Sequence, residues 1–233
     1  MIIYIYIFLL LTSIITYIFN KHLEIYHFGK KSLTSKKILI LGGTHGNEPS
    51  SILSLYKLIH YLRQESINSD YEITVIPMIN KLGFYTNNRY NYHFFHKYDI
   101  NRNYPNMFYI NKILDKYIRR ADIIIDNHEG YNYHIDDKKS IGSTISLLNM
   151  DNKIFKKILK NLNKNINKKI IFNTKKYIPK NSLRFYIQNT YSKKKYVLIE
   201  TTGITNREPI KLRQYKTLYI IISLLKSIKV VTK

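Results

Sequence analysis

His45 and Glu48 stand three residues apart in the segment GGTHGNE, Gly42 to Glu48, a place in this chain where metal chemistry could be built. An i, i+3 histidine and glutamate can turn an imidazole nitrogen and a carboxylate oxygen toward one cation. A catalytic zinc needs three such protein ligands, with one position left for water. His128 is the natural third, because Asp122 to Asp126 (DIIID) reads as a buried strand and His128 falls just beyond its end. Asp126, two residues earlier on the same strand face, could orient a ligand from behind. Spacing alone leaves another possibility open, in which His45 caps a helix and His128 is a satisfied loop histidine. The chain has no cysteine, so thiolate sites and disulfides are excluded and any metal must be held by histidine and carboxylate.

The elements that must position these residues alternate between strand and helix. Lys37 to Leu41 (KKILIL from Lys36) is a short apolar run stopped by Gly42 and Gly43, as expected of a buried strand. Pro49 then sits in a first helical turn, and Ile52, Leu55, Leu58, Ile59 and Leu62 share one helical face as far as about Glu65. His45 and Glu48 thus lie in the turn between a strand's carboxyl end and a helix start, where open α/β sheets place their ligands. Tyr71 to Met78 predicts the next strand, and a long polar, aromatic loop follows from Asn80 to Asn106. Further elements are a helix from Phe108 to Arg120, a strand over Thr144 to Leu148, and a surface helix over Lys153 to Asn163. A late core strand, Tyr196 to Glu200, and an amphipathic closing helix, Pro209 to Ile228, complete the pattern. The expected fold is an α/β three-layer sandwich around a central mixed, largely parallel sheet.

The 233 residues suffice for one such domain. A formal charge of +23 would suit anionic partners, but the lysines form no block and accompany heavy use of isoleucine, asparagine and tyrosine along the whole chain. Biased composition explains the charge better than a nucleic-acid surface. Met1 to Phe19 carries no charged side chain, and as a helix rising ~1.5 Å per residue it would just span a ~30 Å hydrocarbon layer. It lacks the basic start and small-residue cleavage site of a secretory signal. The expected organisation is therefore a hydrophobic N-terminal helix over residues 1–20 serving as a single-pass membrane anchor, a linker over 21–36, and a catalytic domain over 37–233. Lys21, Lys30, Lys31, Lys36 and Lys37 would place that domain on the cytoplasmic side.

Taken in order, GGTHGNE, Asn80, Arg89, DINR (Asp99 to Arg102), DNH (Asp126 to His128) and the Ile199–Glu200 pair resemble the aspartoacylase and succinylglutamate desuccinylase family. That family belongs to the zinc carboxypeptidase superfamily, and the resemblance spans roughly residues 37 to 205. It implies a zinc carboxypeptidase-like fold with one Zn2+ per chain on His45, Glu48 and His128. It also implies Glu200 as the catalytic acid/base, Arg89 as the oxyanion-stabilising arginine, and Asn101 with Arg102 as the clamp for a substrate carboxylate. These roles agree with elementary chemistry. Zinc lowers the pKa of its water toward ~7, and a carboxylate can take that proton and return it to a leaving amine.

Some features depart from the aspartoacylase pattern. The aromatic stretch YNYHFFHKYDI between Arg89 and Asn101 is longer. His128 is followed by Glu129, Gly130 and Tyr131, and HEGY is similar to peptidase-like relatives instead. The sequence also runs out soon after the closing helix, without the carboxyl-terminal β domain that narrows the aspartoacylase site, so a more open cleft is expected. The activity implied is hydrolysis of an amide beside a free carboxylate, in an acyl-amino acid or a peptide. The competing reading is a membrane-anchored basic protein that binds nucleic acid or anionic lipid around a non-catalytic metal. Glu200 disfavours that reading, because a purely structural zinc is usually closed by four ligands.

Overall fold

The computed structural model describes residues 22–93, 96–105, 108–175, 178–203 and 208–232, together with residues 4, 6, 10, 11 and 14. Its centre is a seven-stranded sheet. In chain order the strands are β1 (Tyr26–Phe28), β2 (Lys36–Gly42), β3 (Tyr71–Ile76), β4 (Ile123–Gly130), β5 (Thr144–Leu148), β6 (Ile171–Phe172) and β7 (Lys195–Thr202). Across the sheet they run β1-β3-β2-β4-β7-β5-β6. The four central strands β3, β2, β4 and β7 are mutually parallel, β1 pairs antiparallel with β3, and β5 pairs antiparallel with β7.

Alternation along these strands feeds two cores. Ile38, Ile40, Ile123, Ile125, Val197 and Ile199 face one side. There they meet helices α1 (Pro49–Gln64), α4 (Asn152–Leu162) and α6 (Ile210–Ser227) through Leu55, Leu58, Phe155 and Ile220. Leu39, Leu41, Ile124 and Tyr196 face the other side. They pack on α3 (Tyr109–Arg120) and α5 (Leu183–Thr190) through Leu114, Ile118, Leu183 and Ile187. Each such side chain contributes roughly 1.5–3 kcal/mol when fully buried. The result is the expected sandwich, with helices on both faces of a largely parallel sheet.

The expectation of a hydrophobic N-terminal helix serving as a membrane anchor is corrected. Among the described residues no helix is long and apolar enough to cross a membrane, and most of residues 1–21 lie outside the described residues. The single-pass assignment and the cytoplasmic placement that followed from it are withdrawn. Strand β1 falls in the stretch read as a linker, and its three residues pair with Ile73 to Val75. Inside the long polar loop, Asn91–His93 and His96–Tyr98 form a two-stranded hairpin, preceded by the short helix α2 (Lys81–Tyr85).

Candidate metal centre

The carboxyl ends of β2, β4 and β7 lie side by side, and the parallel register sets Glu200 opposite His128 and Leu198 opposite Asp126. Side chains alternate along a strand, so Asp126 and His128 share the face of Ile124, and Glu200 that of Tyr196. The loop after β2 brings in the other members. Gly43 has a positive φ of 63°, and a Cβ there would meet Ile52 at 2.6 Å. A Cβ on Gly46 would lie 1.9 Å from the backbone of Gly83, so this loop is pressed directly onto α2. Glu48 is the N-cap of α1, yet its side chain makes no capping bond and Pro49 begins the helix. The carboxylate is thereby left for the site.

His45 Nδ1 lies 2.6 Å from Glu48 Oε1, His128 Nδ1 lies 2.9 Å from Glu48 Oε2, and the two Nδ1 atoms are 3.2 Å apart. All three residues are at most 2% exposed. One ligand atom from each lies within 4.8 Å of the others, a group able to hold a metal ion. Two imidazole nitrogens and a carboxylate turned toward one point are a donor set that suits a divalent cation. The remaining nitrogens are backed by carboxylates: His45 Nε2 is 3.1 Å from Asp99 Oδ1, and His128 Nε2 is 3.1 Å from Asp126 Oδ1. Tyr196 donates to the other oxygen of Asp126 at 2.7 Å. Carboxylate behind imidazole is the usual outer shell of a metal site, where it fixes the tautomer and raises ligand basicity.

Electrostatics agree with this geometry. Burial opposes ionisation of Glu48, but His45 and His128 outweigh it and hold the carboxyl well below its usual range. Burial also opposes a charged His128, yet Asp126 and Glu48 raise its pKa well above the ordinary value. The centre of the site therefore stabilises positive charge. Glu200 behaves in the opposite way. Burial, reinforced by the carboxylates of Glu48 and Asp126 against the pull of His128, pushes it up to about 8.

The structure brings His45, Glu48, Arg89, Asn101, Arg102, His128 and Glu200 to one cleft of about 320 Å³. A larger hollow of about 690 Å³ opens beside Lys37 and Ala121, at the other ends of the strands, and contains none of them. Asn91–His93 and His96–Tyr98 pair with each other, and Arg89 lines the cleft. Its Nε donates to Asp99 Oδ2 at 3.0 Å, and Nη1 lies 3.7 Å from Glu48 Oε1. Asn101 accepts from the backbone N–H of Leu183 at 2.8 Å, and the Arg102 guanidinium donates to the Asn101 carbonyl at 2.6 Å. Asn80 is a helix cap, accepting from Gly83 N–H at 2.9 Å, rather than a cleft residue. His128 lies within β4 and not just past its end, because the β4–β7 ladder continues to Gly130.

Several participants escaped the sequence reading. Asp99 links His45 to Arg89, though nothing in DINR marks it as more than a neighbour of the clamp. Arg184 also lines the cleft. It donates to the Ser146 hydroxyl, and among the described residues its buried Nε has no hydrogen-bond partner and no carboxylate pairs with it. Glu129, 1% exposed, is paired with Arg213 of α6, while its backbone N–H donates to Glu48 Oε2 at 3.1 Å. Burial pushes Glu129 up to about 6 even with Arg213 beside it. Replacing Arg213 with Met should therefore cost about 3 kcal/mol by leaving a buried carboxylate unpaired. Chemical denaturation should show a loss that grows from acid to alkaline pH as the unpaired group is forced to ionise.

Residues 34–133 match the family described as the succinylglutamate desuccinylase/aspartoacylase catalytic domain. No match was found among curated proteins. Among solved structures, tripeptide-bound Csd4, a cell shape determinant of Helicobacter pylori, shares the fold with a TM-score of 0.69 at 17% identity. That likeness covers 90% of this chain and 56% of Csd4. The mDAP-bound form, described as a D,L-carboxypeptidase, gives 0.67 at 17% identity over 88% of this chain and 54% of the other. A protein of Shewanella baltica provisionally named a metallopeptidase gives 0.63 at 15% identity, over 88% of this chain and 81% of its own. The chain thus spans little more than half the length of Csd4. Over residues 34–133 the chain is similar to the succinylglutamate desuccinylase/aspartoacylase catalytic domain, the family that its ordered motifs resemble, and it shares its fold with these solved structures.

Proposed function

We propose that the chain is a zinc-dependent hydrolase of an amide bond next to a substrate carboxylate, acting on peptide-like or N-acyl amino acid substrates. The observation that carries this reading is the convergence of His45, Glu48 and His128 in the same cleft as a buried, charge-averse Glu200. A His, Glu, His set matches the preferences of zinc and leaves a position open. When bound, the ion would polarise the scissile carbonyl and acidify a water.

The other steps fall to this chain's own side chains. Glu200 takes a proton from the attacking water and returns it to the leaving amine, a task suited to a carboxylate whose pKa lies near working pH. Arg89, anchored by Asp99 beside Glu48, offers guanidinium N–H groups where negative charge develops on the carbonyl oxygen. Asn101, whose oxygen is committed to Leu183, keeps its Nδ2 donors for a ligand, and Arg102 offers its fork to a substrate carboxylate. Arg184, without an acidic partner of its own, suits a further anionic group on the substrate. Csd4 was captured with a tripeptide and with mDAP, so peptides with a free carboxylate come first in the test, followed by acyl-amino acids.

The experiment is hydrolysis of that panel by metal-loaded protein, with elemental analysis of the same sample. One zinc per chain and cleavage of at least one free-acid substrate are expected. Metal-free protein from chelator-free purification would count against the reading. Replacing Arg102 with Lys keeps the charge but loses the fork. Because Arg102 sits at the exposed mouth of the cleft, kcat/KM should fall by about 2 kcal/mol, the low end for a charge pair at a binding site. The amidated form of the best substrate should show a matching loss in wild type. Equal cleavage of acid and amide would exclude the clamp.

A further inference from the structure

His134 is fully buried and belongs to no step above. It lies in the loop joining β4 to β5, which closes on itself through His134 N–H to the Gly142 carbonyl at 3.0 Å and Gly142 N–H to the Tyr131 carbonyl at 3.2 Å. Its ring contacts fix its state without ambiguity. Nδ1 lies 2.8 Å from the Ser140 carbonyl, which can only accept, so Nδ1 carries the hydrogen. Nε2 receives the backbone N–H of Thr174 at 3.2 Å and faces the Thr174 hydroxyl at 2.8 Å, so Nε2 carries the lone pair. One neutral imidazole thereby bonds two segments 40 residues apart in sequence.

Those segments are two walls of the cleft. Tyr131 and Ile141 come from the loop, and Asn173 and Lys175 from the stretch after β6. Lys175 Nζ crosses to the Lys139 carbonyl, and Lys175 N–H donates to Asn173 Oδ1 at 2.8 Å, so Thr174 sits at the centre of the second wall. Backbone bonds join the start of this wall to the other, from Ile171 N–H to the Ser143 carbonyl at 3.1 Å and from Asn173 N–H to the Ile145 carbonyl at 2.8 Å, and beyond them the buried tie at Thr174 is the His134 ring. We propose that His134 is a positioning residue that extends this joint past Asn173 and so fixes Thr174 and Lys175 where a polar or anionic part of the substrate, remote from the scissile bond, meets Lys175. The proposal rests on the reading of this cleft as the substrate cleft.

The discriminating variant is His134→Asn, whose amide nitrogen can replace Nδ1 at the Ser140 carbonyl but cannot reach Thr174. The loop keeps its own bond and loses only the tie across the cleft. In the zinc-loaded full chain, amide exchange at Thr174 should speed up by roughly three- to tenfold, the worth of one net hydrogen bond. Exchange in the central strand β2 should be unchanged. With a free-acid tripeptide and an N-acyl amino acid as probes, KM should rise by a similar factor for the one that is cleaved. Its kcat should stay within about twofold, because the wall binds but takes no part in bond breaking. Unchanged exchange at Thr174 overturns the proposal, and so does a variant in which kcat and zinc content fall while KM stays constant. If wild type cleaves neither probe, the functional reading fails by itself, and the Thr174 exchange comparison alone decides the tie.

Discussion

Replacing His128 with Ala should strip the protein of its metal. Outer-shell changes at metal sites already cost about 10–100-fold in affinity, so removing one of three ligands should exceed ~100-fold. Asp126→Asn, acting through His128 Nε2 at 3.1 Å, should fall inside that smaller range and serves as the internal scale. Stability reports the same event. A ligand at a thousand times its dissociation constant stabilises the folded state by about 4 kcal/mol, so zinc should raise the wild-type melting temperature and leave that of the variant unmoved. His128→Gln keeps more of the side-chain volume and should behave like Ala toward metal. If either variant binds zinc as tightly as wild type, His128 is not a ligand.

The sequence made this site legible because its strands are buried on both faces. Ile38 to Leu41, Ile123 to Ile125 and Tyr196 to Ile199 read as unbroken apolar runs, and the glycines at 42 and 43 mark where the first must end. What lay at the far ends was harder to read. DNHEG looks like a loop by polarity, yet Asn127, His128 and Glu129 are all buried in β4. Each is held by a partner distant in the chain: Asn127 by Ser51 and Ser54, His128 by Glu48, Glu129 by Arg213. A buried polar strand end is invisible to hydrophobic periodicity because its stability comes from those partners.

Short elements failed for a related reason. Helix α5 has eight residues, too few for a periodic signal, although Ser182 caps it through Phe185 N–H. Strand β1 lies in the short mixed stretch HLEIYHFG and takes its place by pairing with β3 and by packing Tyr26 and Phe28 against the core. Arg184 had no distinguishing mark among 38 basic residues. Only the fold shows it without an acidic partner in the cleft. At the charge-free start of the chain hydropathy alone supported a membrane helix, and most of that stretch lies outside the described residues.

Replacing Glu200 with Gln should leave zinc in place and lower kcat/KM by ~10²–10⁴, the usual worth of a positioned acid/base. The amide keeps the shape but cannot take a proton, so KM should change far less than kcat. A second signature needs no substrate. In the metal-free protein Glu200 is pushed up to about 8 from an ordinary value near 4.5. Between those values the folded state holds a proton that the unfolded state has released. The contribution of Glu200 is therefore fully present below pH ~4.5 and is lost as pH rises toward ~8. The variant has no such proton, so its stability relative to wild type should improve steadily across that window and level off above it. Bound zinc favours the ionised carboxylate, so the slope should flatten when the metal is restored. Denaturation of both proteins at several pH values, with and without chelator, tests each part. A constant stability difference across the window, or unchanged turnover, would remove Glu200 from the mechanism.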